Sequence, residues 1–269
     1  MKTLINGVVD SCIDVCDRGF QYGDGLFETI AYKNSQLQLW DAHMQRLRHG
    51  CDRLSLGVVD EALWLDDIKQ LQLKEDAVIK LIISRGVSGR GYTYNTSNNV
   101  TRVTAVSLWP NYTRDNFQGI ATIFCKTPIS INPVLAGIKH LNRLDNVLAR
   151  NEWHSADIAE GFMLDHNQHV IEGTMSNVFC VLGEELYTPS LQQCGVAGVM
   201  RQRVLEYAKV QGVSVNIIEI SKLNFLQMDS IFITNSLIGI WPVKKIIEDG
   251  VVTEFSVGSL VIELQRVLN

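Results

Sequence analysis

The chain has 269 residues, of which 46% are hydrophobic and 20% are charged, and its formal net charge at neutral pH is −5. That hydrophobic fraction is enough for a sizeable core, which excludes disordered, collagen-like and coiled-coil chains. An acidic balance offers no extended basic surface, so nucleic acid is not an expected partner. The length fits one large domain or two smaller ones.

The sequence contains neither a recognisable secretory signal nor a membrane helix. Its first ten residues lack an uninterrupted apolar stretch, and no run approaches the roughly 18 apolar residues that cross a bilayer. The six cysteines are scattered without a repeated spacing, which predicts reduced thiols, mostly small core residues, and no metal site. We therefore expect a soluble cytoplasmic protein without a membrane partner.

The first hundred residues predict a strand-rich domain with two helices. Asp41 is the expected N-cap of the first helix, and apolar residues recur from there at three- and four-residue spacing up to about Ser55. A second helix is expected over 60–72. Apolar runs or alternation predict strands at residues 3–9, 26–32, 37–40, 77–84 and 100–108.

Residues 110–115 have turn-forming side chains and no apolar period, which predicts a linker between domains 1–109 and 116–269. Two αβ domains with a cleft between them are the expected architecture, and such clefts commonly bind small ligands. In the second domain, strands are predicted at 119–126, 161–165, 169–172, 176–182, 214–218 and 230–234, with a hairpin turn at 165–168. Helices are predicted at 139–155, 198–211 and 256–268.

Lys139 stands at the start of the predicted helix 139–155. A solvated helix face is the simpler interpretation of this lysine and of the other polar residues that recur on its side of the helix. However, functional side chains are commonly presented where a loop meets a regular element. A lysine partly buried there would lose proton affinity and become a nucleophilic amine.

Residues 136–150 resemble the lysine segment of the fold-type IV pyridoxal phosphate enzymes, and most of all the 4-amino-4-deoxychorismate lyases among them. The resemblance extends along the chain from residues 17–29 to residues 233–237. It implies a small N-terminal αβ sandwich and a larger C-terminal αβ domain that carries the cofactor lysine. It also implies a homodimer.

The same resemblance assigns the cofactor ligands of pyridoxal 5′-phosphate. Lys139 would bind the cofactor covalently, Glu172 would keep the ring nitrogen protonated, and Arg46 would bind the phosphate. The glycine-bearing loop before residue 199 runs into a helix start, where unpaired N–H groups favour an anion. The remaining phosphate ligands implied are the backbone at Val199 and Met200 and the hydroxyl of Ser236.

The implied reaction converts 4-amino-4-deoxychorismate into 4-aminobenzoate and pyruvate, a step of folate biosynthesis. Lys139 would move the proton, and Thr29 would help protonate the departing enolpyruvate. Arg85 and Arg90 are candidates for the two substrate carboxylates, because arginine forks match carboxylate geometry. Two alternatives stay open, an amino-acid transaminase of the same fold and a pyridoxal phosphate-binding protein without catalytic function.

Overall fold

A computed structural model describes residues 2–57, 60–94 and 100–269 as two compact units. The first unit comprises Met1–Pro110 and Ile138–Asn142, and the second comprises Asn111–Gly137 and Arg143–Asn269. The sequence does not anticipate the excursion of residues 138–142, since it places all of 116–269 in one domain. Lys139 therefore belongs to the first unit, although the segments before residue 138 and after residue 142 belong to the second.

The first unit is built on a six-stranded antiparallel sheet with the order β2-β1-β6-β5-β3-β4. Its strands are β1 (Lys2–Ile5), β2 (Val8–Val9), β3 (Gly25–Lys33), β4 (Gln36–Leu37), β5 (Ala77–Ser84) and β6 (Thr101–Leu108). The helices of this unit are α1 (Arg18–Tyr22), α2 (Trp40–Leu54) and α3 (Glu61–Leu71).

Helix α2 packs its apolar face in the core of the first unit. Met44, Leu47 and Cys51 are buried at three- and four-residue spacing, which confirms the predicted amphipathic helix. The predicted N-cap is wrong, because the helix begins at Trp40 after Leu39, whose φ is 54° and which makes no capping side-chain hydrogen bond. Asp41 lies in the first helical turn instead, where its charge complements the helix dipole.

The second unit is built on a mixed ten-stranded sheet. Its main path has the order β12-β11-β10-β14-β15-β7-β8-β9-β13, with β16 paired to β15. The strands are β7 (Ile120–Phe124), β8 (Ile158–Leu164), β9 (His169–Gly173), β10 (Asn177–Leu182), β11 (Glu185–Pro189), β12 (Val215–Ile218), β13 (Ile220–Ser221), β14 (Ser230–Asn235), β15 (Gly239–Glu248) and β16 (Val251–Glu254). Its helices are α4 (Arg114–Gln118), α5 (Leu144–Arg150), α6 (Val199–Gln211), α7 (Lys222–Phe225) and α8 (Ser259–Leu268).

Two hairpins of this sheet show what local sequence can predict. The turn at 165–168 is confirmed, with Gln168 at a φ of 63° and the Asp165 carboxylate accepting a hydrogen bond from the His169 N–H at 2.9 Å. The β15–β16 hairpin is absent from the sequence prediction. It turns on Asp249 and Gly250, both at positive φ, and an Asp-Gly pair is a recognised signal for such a turn.

The predicted helix 139–155 is wrong at both ends, because α5 covers only Leu144–Arg150. Residues 138–142 are not helical and instead form an isolated antiparallel bridge to the start of β3. The Phe27 N–H donates to the Lys139 carbonyl and the Leu141 N–H donates to the Gly25 carbonyl, both at 3.0 Å. These backbone groups are satisfied by the strand, so the helical spacing of the apolar residues does not decide the local structure.

Four of the six cysteines are small core residues, as predicted. Cys51, Cys125, Cys180 and Cys194 are buried, whereas Cys12 and Cys16 are exposed, and all six are free thiols. Among the residues that the structure describes, no helix has the length and apolar character needed to cross a membrane.

A buried ion pair of the first unit gives a stability prediction. Asp67 on α3 accepts hydrogen bonds from Arg102 at 2.8 and 3.1 Å and from the Thr104 hydroxyl at 2.9 Å. Replacing it in Asp67→Ala should lower the free energy of unfolding by about 3 kcal/mol, because the half-buried Arg102 loses its counter-charge. Asp66→Ala is the matched control, since its pair with Lys69 is exposed and is worth less than about 1 kcal/mol. Equal losses in urea titrations of the two variants would contradict this account.

Candidate active site

The Lys139 side chain lies against an aromatic ring at the start of β3. Its Nζ atom is 4.3 Å from the centroid of the Phe27 ring, and its backbone carbonyl accepts the Phe27 N–H. Leu26 and His140 form the adjacent antiparallel bridge. These backbone contacts hold Lys139 beside the start of β3, so an isolated β-bridge rather than a helix positions the candidate nucleophile.

Glu28 follows Phe27 in β3 and is 1% exposed. Its carboxylate accepts hydrogen bonds from both Nε and a terminal nitrogen of Arg46, with the Nε contact at 2.8 Å, and lies 2.6 Å from Nδ1 of His43. Burial by itself raises the pKa of Glu28, but the charge and hydrogen bonds of Arg46, together with His43, outweigh it and lower that pKa to about 2. Glu28 is therefore an anion that neutralises the predicted phosphate ligand Arg46.

Thr29 lies on the sheet face that Lys139 contacts. Side chains alternate along a strand, so Thr29 and Phe27 point to the same side of β3 while Glu28 points to the other. Thr29 is half-buried, and its cross-strand partner is Lys80, whose Nζ lies 5.1 Å from the Phe27 ring centroid. The predicted catalytic residues Lys139 and Thr29 thus share the surroundings of one aromatic ring.

In the second unit, Glu172 is a buried carboxylate on β9 with 4% exposure. Its Oε2 atom accepts the backbone N–H of Val196 at 2.8 Å. The Glu172 charge acts on two arginines, Arg143 and Arg201. Burial lowers the pKa of each arginine, and the negative charge of Glu172 raises that pKa again in part. A carboxylate with this support suits the predicted role of holding a proton on a ring nitrogen.

Glu160, which the sequence analysis missed, shapes the turn that follows Glu172. Its fully buried carboxylate accepts hydrogen bonds from the backbone N–H and hydroxyl of Thr174, from the Met175 N–H and from the Ser176 hydroxyl. Burial raises the pKa of Glu160, and these hydrogen bonds offset that rise only in part. No local signal identifies this residue, since an isolated acid in a strand ordinarily faces solvent.

Helix α6 begins at Val199 with Gly198 as its N-cap, and this glycine has no side chain to accept from the first N–H groups. Asn177 on β10 comes close to this point, with its Nδ2 donating to the Val196 carbonyl at 2.8 Å. A Cβ atom at Gly198 would lie only 2.0 Å from Asn177 Oδ1, so the position requires glycine. The helix start therefore leaves the predicted N–H donors of Val199 and Met200 without a side-chain cap, as a phosphate site requires.

Ser236 lies in the predicted turn between β14 and β15. The side-chain Oδ1 atom of Asn235 accepts hydrogen bonds from the Leu237 and Ile238 N–H groups at 2.9 and 3.0 Å. The Nδ2 atom of the same side chain donates to the Met175 carbonyl at 3.0 Å. Asn235 thereby ties this turn to the turn after Glu172. Ser236 itself is half-buried, which is compatible with the hydroxyl donor expected there.

The two arginines predicted to bind the substrate have different surroundings. Arg85 is buried, makes a two-point ion pair with Asp24 at 2.7 and 3.0 Å, and donates to the carbonyls of Leu54 and Ser55 at the end of α2. Those contacts are what a structural arginine makes. Arg90 is exposed. A substrate role for either residue stays a prediction.

The loop that carries these arginines is held by the segment before β3. Asp24 also pairs with Arg18 at 2.9 Å, and Arg18 donates to the carbonyls of Gly91 and Tyr92 at 2.8 and 3.1 Å. Burial acts to raise the pKa of Asp24, but both arginines outweigh it and lower that pKa. The acidic and basic residues of the 17–29 motif thus anchor a loop in the first unit.

Each unit holds residue types that fit pyridoxal phosphate. In the first unit, Lys139 supplies an amine beside an aromatic ring and Arg46 supplies a guanidinium that suits a phosphate. In the second unit, Glu172 supplies a buried carboxylate and the start of α6 supplies backbone N–H groups. Within the described ranges, no cluster of three or more metal-binding side chains occurs.

Comparison with known proteins places the chain in a family. Residues 25–246 match the family model described as amino-transferase class IV, and the chain belongs to that family. It is 38% identical to aminodeoxychorismate lyase from Vibrio harveyi, over 98% of each chain. It is 28% identical to D-alanine aminotransferase from Bacillus licheniformis, over 91% of this chain and 88% of that one.

A solved structure agrees with this placement. The crystal structure of 4-amino-4-deoxychorismate lyase from Pseudomonas aeruginosa shares 40% sequence identity and superimposes with a TM-score of 0.93, covering 98% of this chain and 97% of that one. This likeness confirms the fold class that the motifs predict. The chain is therefore a fold-type IV protein whose relatives include both lyases and aminotransferases.

The Glu28 network gives a pH prediction. Its folded-state pKa, about 2, lies below the ordinary value of 4.5, so ionised Glu28 stabilises the fold above pH 4.5 and this contribution is lost as the pH falls towards 2. A shift of this size corresponds to about 3 kcal/mol. Glu28→Gln should remove this part of the acid dependence, and its free energy of unfolding should approach that of the wild type near pH 2. A constant difference between pH 2 and 7 would show that Glu28 does not contribute through its charge.

Proposed function

We propose that this protein is a pyridoxal phosphate-dependent aminodeoxychorismate lyase, which converts 4-amino-4-deoxychorismate into 4-aminobenzoate and pyruvate. The observation that carries the proposal is the position of Lys139, paired with β3 and held against Phe27, in a chain 38–40% identical to proteins named for this reaction. The product would serve folate biosynthesis. A cytoplasmic location and a homodimer stay predictions.

Each cofactor ligand has a stated task in this proposal. Lys139 holds the cofactor covalently, and Glu172 keeps its ring nitrogen protonated. Arg46 binds the phosphate, and Glu28 is the counter-ion that balances the positive charge of Arg46 before the phosphate binds. The further phosphate ligands are the N–H groups of Val199 and Met200 and the hydroxyl of Ser236. When bound, pyridoxal phosphate supplies an electron sink for the carbon atom that loses its proton.

Lys139 would have a second task when the substrate amine is bound. As a neutral amine, it removes the proton from the ring carbon that bears nitrogen. The neighbouring carbon–oxygen bond then breaks, and the enolpyruvyl group leaves. Thr29, on the same side of β3, helps to deliver a proton to the departing enolpyruvate, which becomes pyruvate. The six-membered ring becomes aromatic, so positioning and proton transfer are the main demands on the protein.

A transaminase is the alternative that the comparisons support, because a D-alanine aminotransferase is 28% identical over most of the chain. Transamination requires a second half-reaction, in which a keto acid takes up the amino group. The two reactions are distinguished by incubating the purified, cofactor-loaded protein with 4-amino-4-deoxychorismate. Equal release of 4-aminobenzoate and pyruvate supports the lyase. Release of neither, with amino-group exchange between amino and keto acids, supports the transaminase.

Lys139→Ala should abolish turnover and the covalent attachment of the cofactor, because no other amine takes over both tasks. Lys80→Ala is the matched control, since Lys80 contacts the same Phe27 ring from β5. Product fluorescence, pyruvate release and the mass of the borohydride-reduced protein measure the effect. Normal turnover by Lys139→Ala, or equal loss in both variants, would refute the assignment of Lys139.

Thr29→Val should slow turnover by about tenfold or more while leaving cofactor binding unchanged, since it removes a hydroxyl near the reacting groups. Thr29→Ser keeps the hydroxyl and should retain most of the activity. Turnover numbers and the visible absorbance of the bound cofactor separate the two effects. If Thr29→Val lost the cofactor instead, the residue would have a structural role rather than the proposed catalytic one.

A further inference from the structure

His43 is a completely buried histidine to which the proposed reaction gives no task. It lies on α2 with 0% exposure, and its Nδ1 atom is 2.6 Å from a carboxylate oxygen of Glu28. Its other ring nitrogen, Nε2, is buried and makes no hydrogen bond within residues 2–57, 60–94 and 100–269. An unpaired polar atom in a core is unfavourable, and a leucine would fill a similar volume without one. The contact with Glu28 is therefore what a histidine adds at this position.

The ionisation of Glu28 determines the direction of this hydrogen bond. Burial raises the pKa of Glu28, but Arg46 and His43 outweigh it and lower that pKa to about 2. The carboxylate is therefore ionised near neutral pH and can only accept hydrogen bonds. It follows that His43 donates to Glu28 from Nδ1.

The Glu28 carboxylate joins two side chains of the same helix. His43 and Arg46 are three residues apart on α2, so both lie on one face of that helix. Arg46 donates from Nε to Oε1 at 2.8 Å and from Nη2 to Oε2, and His43 contacts Oε2 as well. The last torsion of a glutamate side chain has only a broad preference, so its carboxylate turns readily unless its oxygens are held. The His43 hydrogen bond restricts this rotation, and with it the plane in which the carboxylate receives the guanidinium.

Among these three side chains, Arg46 is the one that reaches solvent. It is 11% exposed, whereas Glu28 is 1% exposed and His43 is 0% exposed. An anion that approaches from solvent therefore meets the guanidinium, with the other two side chains buried behind it. A planar guanidinium binds a phosphate through directed N–H groups, and an orientation fixed in advance reduces the entropy lost on binding.

We propose that His43 is a positioning residue for the phosphate of the cofactor, because it orients Arg46 through the Glu28 carboxylate. This inference rests on the proposed function, in which Arg46 is a phosphate ligand. His43 makes no contact of its own with the cofactor and supplies no proton to the reaction. Its effect is confined to the phosphate group, so it contributes to the preference for pyridoxal phosphate over pyridoxal, which carries a hydroxyl group in place of the phosphate.

The test compares the binding of these two compounds to cofactor-free protein. His43→Leu removes the donor to Glu28, whereas His43→Asn keeps one, because the asparagine amide nitrogen takes the place of Nδ1. Dissociation constants are measured by absorbance titration. We expect His43→Leu to bind pyridoxal phosphate about tenfold more weakly, the effect of one lost hydrogen bond, and to bind pyridoxal within about twofold of the wild type. His43→Asn should restore most of the preference for the phosphate.

A merely structural histidine would not distinguish the two compounds. Equal weakening of both by His43→Leu, or weakening of neither, would therefore overturn the proposal. Arg46→Gln is the reference variant, and it should lose the preference for pyridoxal phosphate more strongly. If Arg46→Gln kept the full preference, the phosphate role of Arg46 in the proposed function would be wrong as well. If Arg46→Gln lost it and His43→Leu kept it, the inference about His43 alone would fail.

A second measurement needs no variant and uses wild-type protein with ¹⁵N-labelled histidine. A ring proton on Nδ1 that is bonded to a buried carboxylate across 2.6 Å should resonate far downfield and exchange slowly with solvent. Pyridoxal phosphate should shift this signal more than pyridoxal does, because only the phosphate competes with Glu28 for Arg46. Absence of the signal, or equal shifts with the two compounds, would overturn the proposal.

Discussion

The candidate site depends on the backbone pairing of residues 138–142 with the start of β3. This pairing holds Lys139 against Phe27 by two backbone hydrogen bonds of 3.0 Å, at the Phe27 and Leu141 N–H groups. The hydrogen bonds on either side of Lys139 fix its backbone beside β3. Everything proposed for Lys139, from covalent attachment to proton removal, requires that fixed position.

Strand β3 also carries a buried carboxylate that pairs with a cation. Glu28, adjacent to Phe27, is a buried anion bonded to both Arg46 and His43. Removing an ion pair from water is unfavourable, and this one is retained with good geometry and a third hydrogen bond. This pairing suits a site in which Arg46 must be ready for a phosphate without being left unpaired beforehand.

In the second unit, one chain of polar contacts sets the position of the proposed ring and phosphate ligands. Glu160 holds the turn after Glu172, Asn177 holds the Val196 carbonyl, and the Val196 N–H donates to Glu172. Gly198 follows directly and starts α6, close to Asn177. The carboxylate for a ring nitrogen and the donors for a phosphate are therefore positioned by one network rather than independently.

The sequence by itself determined the strands of the first unit, the amphipathic face of α2 and the start of α6, because each follows from periodicity or from a glycine at a helix start. In the second unit it missed β11, β13, β15 and β16. Its family resemblance assigned Lys139, Glu172 and Arg46 as expected cofactor ligands. Only the tertiary structure decided that residues 138–142 bridge to β3 instead of forming a helix, since their hydrogen-bond partners lie far along the chain. It also revealed the carbonyl partners of Arg85 and the burial of Glu160 and His43. Local sequence patterns do not show which residues lie close together in the fold. The chemistry of a charged side chain depends on its burial and on the groups that pair with it, so it could not be predicted from those patterns.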